Sequence, residues 1–343
     1  MNDALKLVNL TKKFPNGVTA VDNVSLTVPH GSVYGFLGRN GAGKTTTLKM
    51  ITGLSNPTSG EIYIYGNKVE FGKPLSYKNI GFLPDVPEFY SYMTAREYLF
   101  LCGRLHKMKD NEIKNRINDI FNLINFDRTR LRSKISTYSR GMKQKLGIAV
   151  ALLHSPDLIL LDEPTSALDP IGRKETMNII NLLKGKYTIL FSSHILSDVE
   201  RVCDRVAVIE KGSLVLEGGI KEIKAQNEKL TEILNVLIFI KNNIQFVNFL
   251  EEIRKLDFLD YLETDFDKIH NYGNGEEVQI KFRTTDRQKS GDILPGLFAK
   301  YDLQLIHYEH EEPNFEDIFI SATEDINNSN NTANINKSQE AAL

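Results

Sequence analysis

A chain of 343 residues has room for two domains of ordinary size, and 41% hydrophobic residues suffice to close their cores. A formal net charge of −2 argues against a surface built for electrostatic, non-specific binding to nucleic acid, so no nucleic-acid partner is expected. No apolar run reaches the ~18–20 residues of a membrane span, the first six residues lack the layout of a signal peptide, and Cys102 and Cys203 have no C-x-x-C partner; together these point to a reducing compartment, with any work at a membrane done through a partner.

Residues 4–10 alternate as a strand, Pro15-Asn16-Gly17 marks a turn, and residues 24–28 read as a second strand. Residues 32–37 form a short apolar run, the pattern of a buried strand, and lead into Gly38-Arg39-Asn40-Gly41-Ala42-Gly43-Lys44-Thr45. This matches G-x-x-x-x-G-K-[ST], and the following residues, from Thr45-Thr46 to Thr52, read as a helix closed by Gly53. The residue types suit a triphosphate. Glycines at 38, 41 and 43 let backbone N–H groups curl around phosphate oxygens, and the helix N-terminus points its positive end at them. Lys44 supplies a cation for the β- and γ-phosphates, and the Thr45 hydroxyl is placed to hold Mg²⁺. Strand-like runs recur at 61–66 and 79–84. From 94 to about 125 the period turns helical, which reads as a helical insertion in an α/β domain.

The second landmark is Asp157-Leu158-Ile159-Leu160-Leu161-Asp162-Glu163-Pro164. Four aliphatics followed by two carboxylates describe a buried strand with acids at its C-terminal tip, where parallel sheets bind ligands. Asp162 is the expected Mg²⁺ ligand, directly or through water. Glu163 is the expected polariser of the attacking water, because phosphoryl transfer needs mainly positioning, metal and a water-orienting group.

Between these landmarks runs Thr137-Tyr138-Ser139-Arg140-Gly141-Met142-Lys143-Gln144, followed by an apolar-faced helix. It resembles the signature motif, L-S-G-G-Q, of the ATP-binding subunits of ABC transporters. Ser166-Ala167-Leu168-Asp169 resembles that family's D-loop and Ser192-Ser193-His194 its switch-histidine region, in family order; the resemblance covers about residues 4–220. It implies a P-loop NTPase of ABC type in which two nucleotide-binding subunits, as a homodimer or heterodimer, close head to tail over ATP and Mg²⁺. Each ATP would then lie between one loop and the other subunit's signature, with Ser139 and the Gly141 backbone facing a γ-phosphate from a helix start. The resemblance further implies that Phe14 stacks on adenine and that His194 contacts the γ-phosphate and senses hydrolysis.

The sequence departs from the family pattern in two places. In the signature, Tyr138 replaces Leu, Arg140 replaces the first Gly and Met142 replaces Gln; in the Q-loop, Asp85 stands where most members carry Gln, as a further candidate contact for Mg²⁺. With Arg39, these features resemble the subset serving bacterial exporters of antibiotics, bacteriocins, lipids or sodium. That resemblance implies hydrolysis at an intact Glu163, coupled to integral-membrane permease subunits on the inner face of the cell membrane. The alternatives are a soluble ABC ATPase, such as an assembly or translation factor, and a module that uses ATP only as a switch. A translation factor fits poorly, because such chains carry two P-loops and this one has one.

The domain reading is an ATPase domain at 1–220 with its helical insertion at about 86–150, a C-terminal accessory or regulatory domain at 221–322, and a disordered Asn-rich tail at 323–343. In the C-terminal part, strands at 234–240, 277–282 and 303–306 and helices at 244–256 and 293–300 suggest a small α+β domain. The order β-α-β-β-α-β would be ferredoxin-like, and 313–320 resembles the closing segment of the exporter subset.

Overall fold

Alternation near the N-terminus forms two long strands, β1 (Asp3–Lys13) and β2 (Thr19–Pro29), paired antiparallel from Asp3↔Pro29 to Lys13↔Thr19. The computed structural model describes residues 3–71, 79–227, 232–241, 243–272 and 275–311. The chain divides into two compact units after Ile220.

In the first unit, β3 (Val33–Leu37) is buried at every position and feeds α1 (Lys44–Ile51). Strands β4 (Ser59–Ile64) and β5 (Asn67–Lys68) complete an antiparallel sheet in the order β2-β1-β4-β5. Strand β6 (Ile80–Leu83) belongs to a second sheet and precedes the expected helical stretch, which is two helices, α2 (Ala95–Leu105) and α3 (Asp110–Leu123). Thr94 starts α2 through a capping box with Glu97, and Lys107, at φ 59°, turns the chain between the two. Leu99, Ile113, Ile117, Ile120 and Phe121 form the buried face of the insertion.

Next come α4 (Arg140–Leu152), β7 (Leu158–Leu161), α5 (Pro170–Leu183), β8 (Thr188–Ser193), α6 (Leu196–Val202), β9 (Arg205–Glu210) and β10 (Ser213–Gly219). The second sheet has the order β10-β9-β3-β8-β7-β6; β9, β3, β8, β7 and β6 run parallel and β10 returns antiparallel. Leu5, Leu7, Leu26 and Ile62 of the antiparallel sheet share one core with Tyr34, Phe36, Leu160 and Leu190 of the parallel sheet and with Leu48 and Ile51 of α1. The two layers therefore clamp the loop between β3 and α1. Cys203 lies buried behind Gly35 of β3, and Cys102 is half-buried on α2; burial pushes the Cys102 thiol up to about 11 and the Cys203 thiol well up.

Helix α7 (Ile220–Asn227) leads to the second unit, which contains β11 (Glu232–Ile240), α8 (Asn243–Ile253), β12 (Leu259–Tyr272), β13 (Gly275–Thr284), α9 (Arg287–Lys300) and β14 (Gln304–Glu311). Its sheet has the order β12-β13-β11-β14 with every neighbouring pair antiparallel. Leu234, Val236 and Ile238 of β11 and Ile280 and Phe282 of β13 pack against Phe249 of α8 and Phe298 of α9. Residues 313–320 and the whole of 323–343 lie outside the described residues, as does everything after 311.

Candidate functional site

Sheet register brings the chemistry-bearing residues to one edge. Leu37 pairs with Ser193, Leu161 with Phe191 and Leu83 with Leu161. The segments that follow β3, β8, β7 and β6 therefore leave the sheet side by side at its C-terminal end, the ligand-binding end of parallel sheets. They carry the 38–46 loop, His194, Asp162-Glu163 and Asp85.

The loop has little freedom. A Cβ on Gly38 would stand 2.4 Å from the Ile209 carbonyl oxygen, and one on Gly43 2.3 Å from that of Ala20. Gly41 and Gly43 adopt φ of 83° and 111°, which only glycine takes cheaply. Helix α1 begins without a side-chain cap, so the N–H groups of its first turn, at Lys44, Thr45 and Thr46, face the loop's concavity. Arg39, Asn40 and Gly41 are exposed at the loop's tip, whereas Ala42 is buried. Arg39 O accepts from Ala42 N–H at 3.1 Å and closes the turn.

Lys44 is 5% exposed, and its ammonium donates to the carbonyls of Gly38 at 2.6 Å and Arg39 at 3.1 Å. It also stands 3.1 Å from Glu163 Oε1, an ion pair outside hydrogen-bond geometry. The other Glu163 oxygen, Oε2, lies 2.8 Å from His194 Nδ1. One carboxylate thus touches both the loop's cation and His194.

Asp162 is 1% exposed and ties three elements together. Its Oδ1 accepts from Ser192 Oγ at 2.6 Å and from Thr45 Oγ1 at 3.2 Å, and its N–H donates to Leu83 O at 2.8 Å. Burial raises its pKa, the Ser192 and Thr45 hydrogen bonds oppose the rise, and the carboxylates of Asp85 and Glu163 add to it. Asp85 brings an Oδ1 that is buried without a hydrogen-bond partner. Ser192, expected only as part of the run that ends at His194, also accepts from Glu163 N–H at 2.9 Å and so fixes both acids. Its only signal in the sequence was a pair of serines at the tip of an apolar strand.

Ser139 and Gly141 lie elsewhere. Ser139 caps α4 by accepting from Met142 N–H at 3.2 Å, and Gly141 has open space where a Cβ would be. Among the described residues, no hydrogen bond or ion pair joins them to the 38–46 loop. Tyr138, in the position of the family's Leu, is buried against Phe126 with its hydroxyl donating to Arg130 O at 2.8 Å. Asp85 and Arg140, the two charged departures from the family pattern, line one cavity of about 450 Å³. Phe14, 39% exposed, sits just past β1 in a turn held by its N–H to Val18 O at 2.9 Å, with the Lys12 ammonium 5.3 Å from its ring. The strand that leaves this turn carries Ala20, whose carbonyl abuts Gly43.

Comparisons with known proteins agree with this geometry. A family model described as ABC transporter matches residues 21–166. The bacitracin transport ATP-binding protein BcrA of Bacillus licheniformis is 36% identical over 325 residues, spanning 93% of this chain and 97% of that protein. Its namesake in Enterococcus faecalis is 38% identical over 234 residues, 68% of this chain and 74% of the other. Among solved structures, an ATP-binding subunit of an ABC transporter aligns at 31% identity and TM-score 0.59 over 65% of this chain and 92% of its own. A bacterial ABC transporter cassette solved as a dimer aligns at 27% identity and TM-score 0.58 over 63% and 98%.

Proposed function

The chain belongs to the ATP-binding proteins of ABC transporters, and from that premise we propose what each group at its site does and what its ATPase activity drives. The observation that carries the reading is the convergence of Lys44, Thr45, Asp162, Glu163 and His194 where adjacent parallel strands end. The loop amides and Lys44 bind the β- and γ-phosphates, and Phe14 offers its open ring to adenine. Glu163 takes the proton of the attacking water, and His194 holds the carboxylate in place and contacts the γ-phosphate. In a closed pair of subunits, Ser139 and Gly141 face the nucleotide on the other subunit.

The acids fit Mg²⁺. A buried carboxylate with a raised pKa, a hydroxyl 3.2 Å from it and an unpartnered Asp85 oxygen form a site that gains from a hard cation. Among the described residues no cluster of His, Cys, Asp and Glu would hold a metal alone, which suits an ion completed by phosphate oxygens and water. Thr45 and Asp162 would hold it, with Asp85 at its water shell, and it would supply charge neutralisation at the phosphates.

The domain assignment is an ATPase domain at 1–220, with a helical insertion at about 86–150, and an accessory domain at 221–322. The β-α-β-β-α-β order of the second unit, with its strands arranged β12-β13-β11-β14, supports a ferredoxin-like fold there. Similarity to BcrA extends over both units and supports export of a bacitracin-like peptide antibiotic through integral-membrane permease subunits. No helix among the described residues is long and apolar enough to cross a membrane, so the protein would sit on the inner face of the cell membrane through that permease.

The test is purification of the tagged chain from its own cells in mild detergent, paired with bacitracin sensitivity of cells lacking it. A stoichiometric multi-span protein and heightened sensitivity are expected. Soluble assembly or ribosomal partners, with unchanged sensitivity, would leave the ATPase and remove the exporter.

A further inference from the structure

Asp198 lies one turn past His194, near the start of α6, and is 4% exposed. A carboxylate so buried is tolerated only when paired. Its Oδ2 accepts from Thr165 Oγ1 at 2.7 Å, and its Oδ1 accepts from Arg173 Nε at 2.9 Å. The same guanidinium donates from Nη2 to Ser197 Oγ at 2.9 Å. None of these groups has a part in the chemistry assigned above, yet each is adjacent to one that does. Thr165 is two residues past Glu163, Arg173 stands in the first turn of α5 just after its cap Asp169, and Asp198 is four residues past His194.

The loop they grip is bent against its preference. Glu163 and Ala167 adopt φ of 46° and 52°, a left-handed conformation that costs energy in any residue with a side chain. Thr165 lies midway between these two bends. Local turns, Ser166 N–H to Glu163 O at 3.0 Å and Leu168 N–H to Thr165 O at 3.3 Å, fold the loop upon itself, and the Glu163 N–H bond to Ser192 Oγ ties its first residue to β8. The buried Thr165–Asp198 hydrogen bond supplies an anchor at its centre, and Arg173 neutralises the buried charge.

We propose that Asp198 is a positioning residue for ATP hydrolysis. By gripping Thr165 and Arg173 it fixes the Glu163 loop relative to the helix that follows His194. The Glu163 carboxylate and His194 imidazole thereby stay in hydrogen-bonding register. Loss of the grip lets the loop relax, and the water-polarising carboxylate drifts, while Lys44 keeps its hydrogen bonds to the carbonyls of Gly38 and Arg39. This rests on the hydrolysis reading given above.

The test compares full-length wild type with Thr165→Val, Thr165→Ser, Asp198→Asn and the control Lys44→Ala. Steady-state kcat and KM are measured alongside equilibrium binding of a fluorescent ATP analogue. Thr165→Val keeps the shape and removes the hydroxyl, so kcat is expected to fall about tenfold with KM and Kd within about twofold of wild type. Thr165→Ser should restore kcat to within about twofold, and Asp198→Asn should lower it at least as far as Thr165→Val. Unchanged kcat in Thr165→Val overturns the proposal, as does a parallel loss of kcat and ATP affinity, the mark of a merely structural contact. Should Asp198→Asn fail to fold, the valine and serine pair decides alone. Wild-type turnover no greater than that of Lys44→Ala would instead remove the hydrolysis reading, and the proposal with it.

Discussion

Lys44 is held by two carbonyls and one carboxylate, so its charge is fixed where the loop needs it before any side chain rearranges. Lys44→Ala removes the only cation buried in the loop, and ATPase activity is expected to fall at least about 100-fold in a phosphate-release assay. Glu163→Gln keeps the size and a hydrogen-bond acceptor for His194 but loses proton affinity. It should lower turnover comparably while ATP with Mg²⁺ still drives two copies together, read as a doubled native mass. Asp162 illustrates the opposing demands of stability and function. Its pKa is raised in the folded chain, so the folded state binds its proton more tightly than the unfolded one, and stability falls as pH rises from the ordinary carboxylate range to the folded value. At pH 7 without nucleotide or Mg²⁺, Asp162→Asn should therefore raise Tm by about 2 °C, since Asn still accepts from Ser192 and Thr45, while it abolishes hydrolysis.

At the level of elements, the strand–loop–helix around residue 38 was legible because its constraints are local: an apolar run, glycines where backbone atoms crowd, and a helix after them. The acids at the end of β7 were legible for the same reason. The grouping of Asp85, Asp162 and His194 was not, because it depends on β6, β7 and β8 lying side by side, which is a non-local choice. The motif order of the family supplied what the local pattern lacked. The hairpin of β9 and β10 was not legible, and β12 only as an unplaced member of the β-α-β-β-α-β order, because charged and polar residues interrupt the apolar runs by which strands are recognised. The loop glycines and the signature tyrosine give two predictions on this scale. Gly43→Ala would force the loop off the Ala20 carbonyl, and ATP affinity should drop at least about tenfold by titration. Tyr138→Leu restores the family residue but leaves the Arg130 carbonyl without its donor and shrinks the contact with Phe126, so it should cost about 1–2 kcal/mol in denaturant unfolding rather than improve the protein.

On the scale of the molecule, each unit has its own core, one built around β3 and the other around β11. Every group assigned to ATP chemistry belongs to the first. A chain ending at residue 227 should thus bind ATP and retain Lys44-dependent turnover within about threefold, measured by the same phosphate-release assay. The second unit would then be needed for assembly or control rather than for the reaction. The two native thiols have a practical consequence for watching such assembly. With its pKa held at about 11, Cys102 presents roughly one thiolate in ten thousand at pH 7, and Cys203 is sealed behind β3. A cysteine introduced at a solvent-facing position such as Leu54 or Ile171 would therefore take a maleimide dye or spin label ahead of both, and distances between two copies can be read spectroscopically without first stripping the natural cysteines.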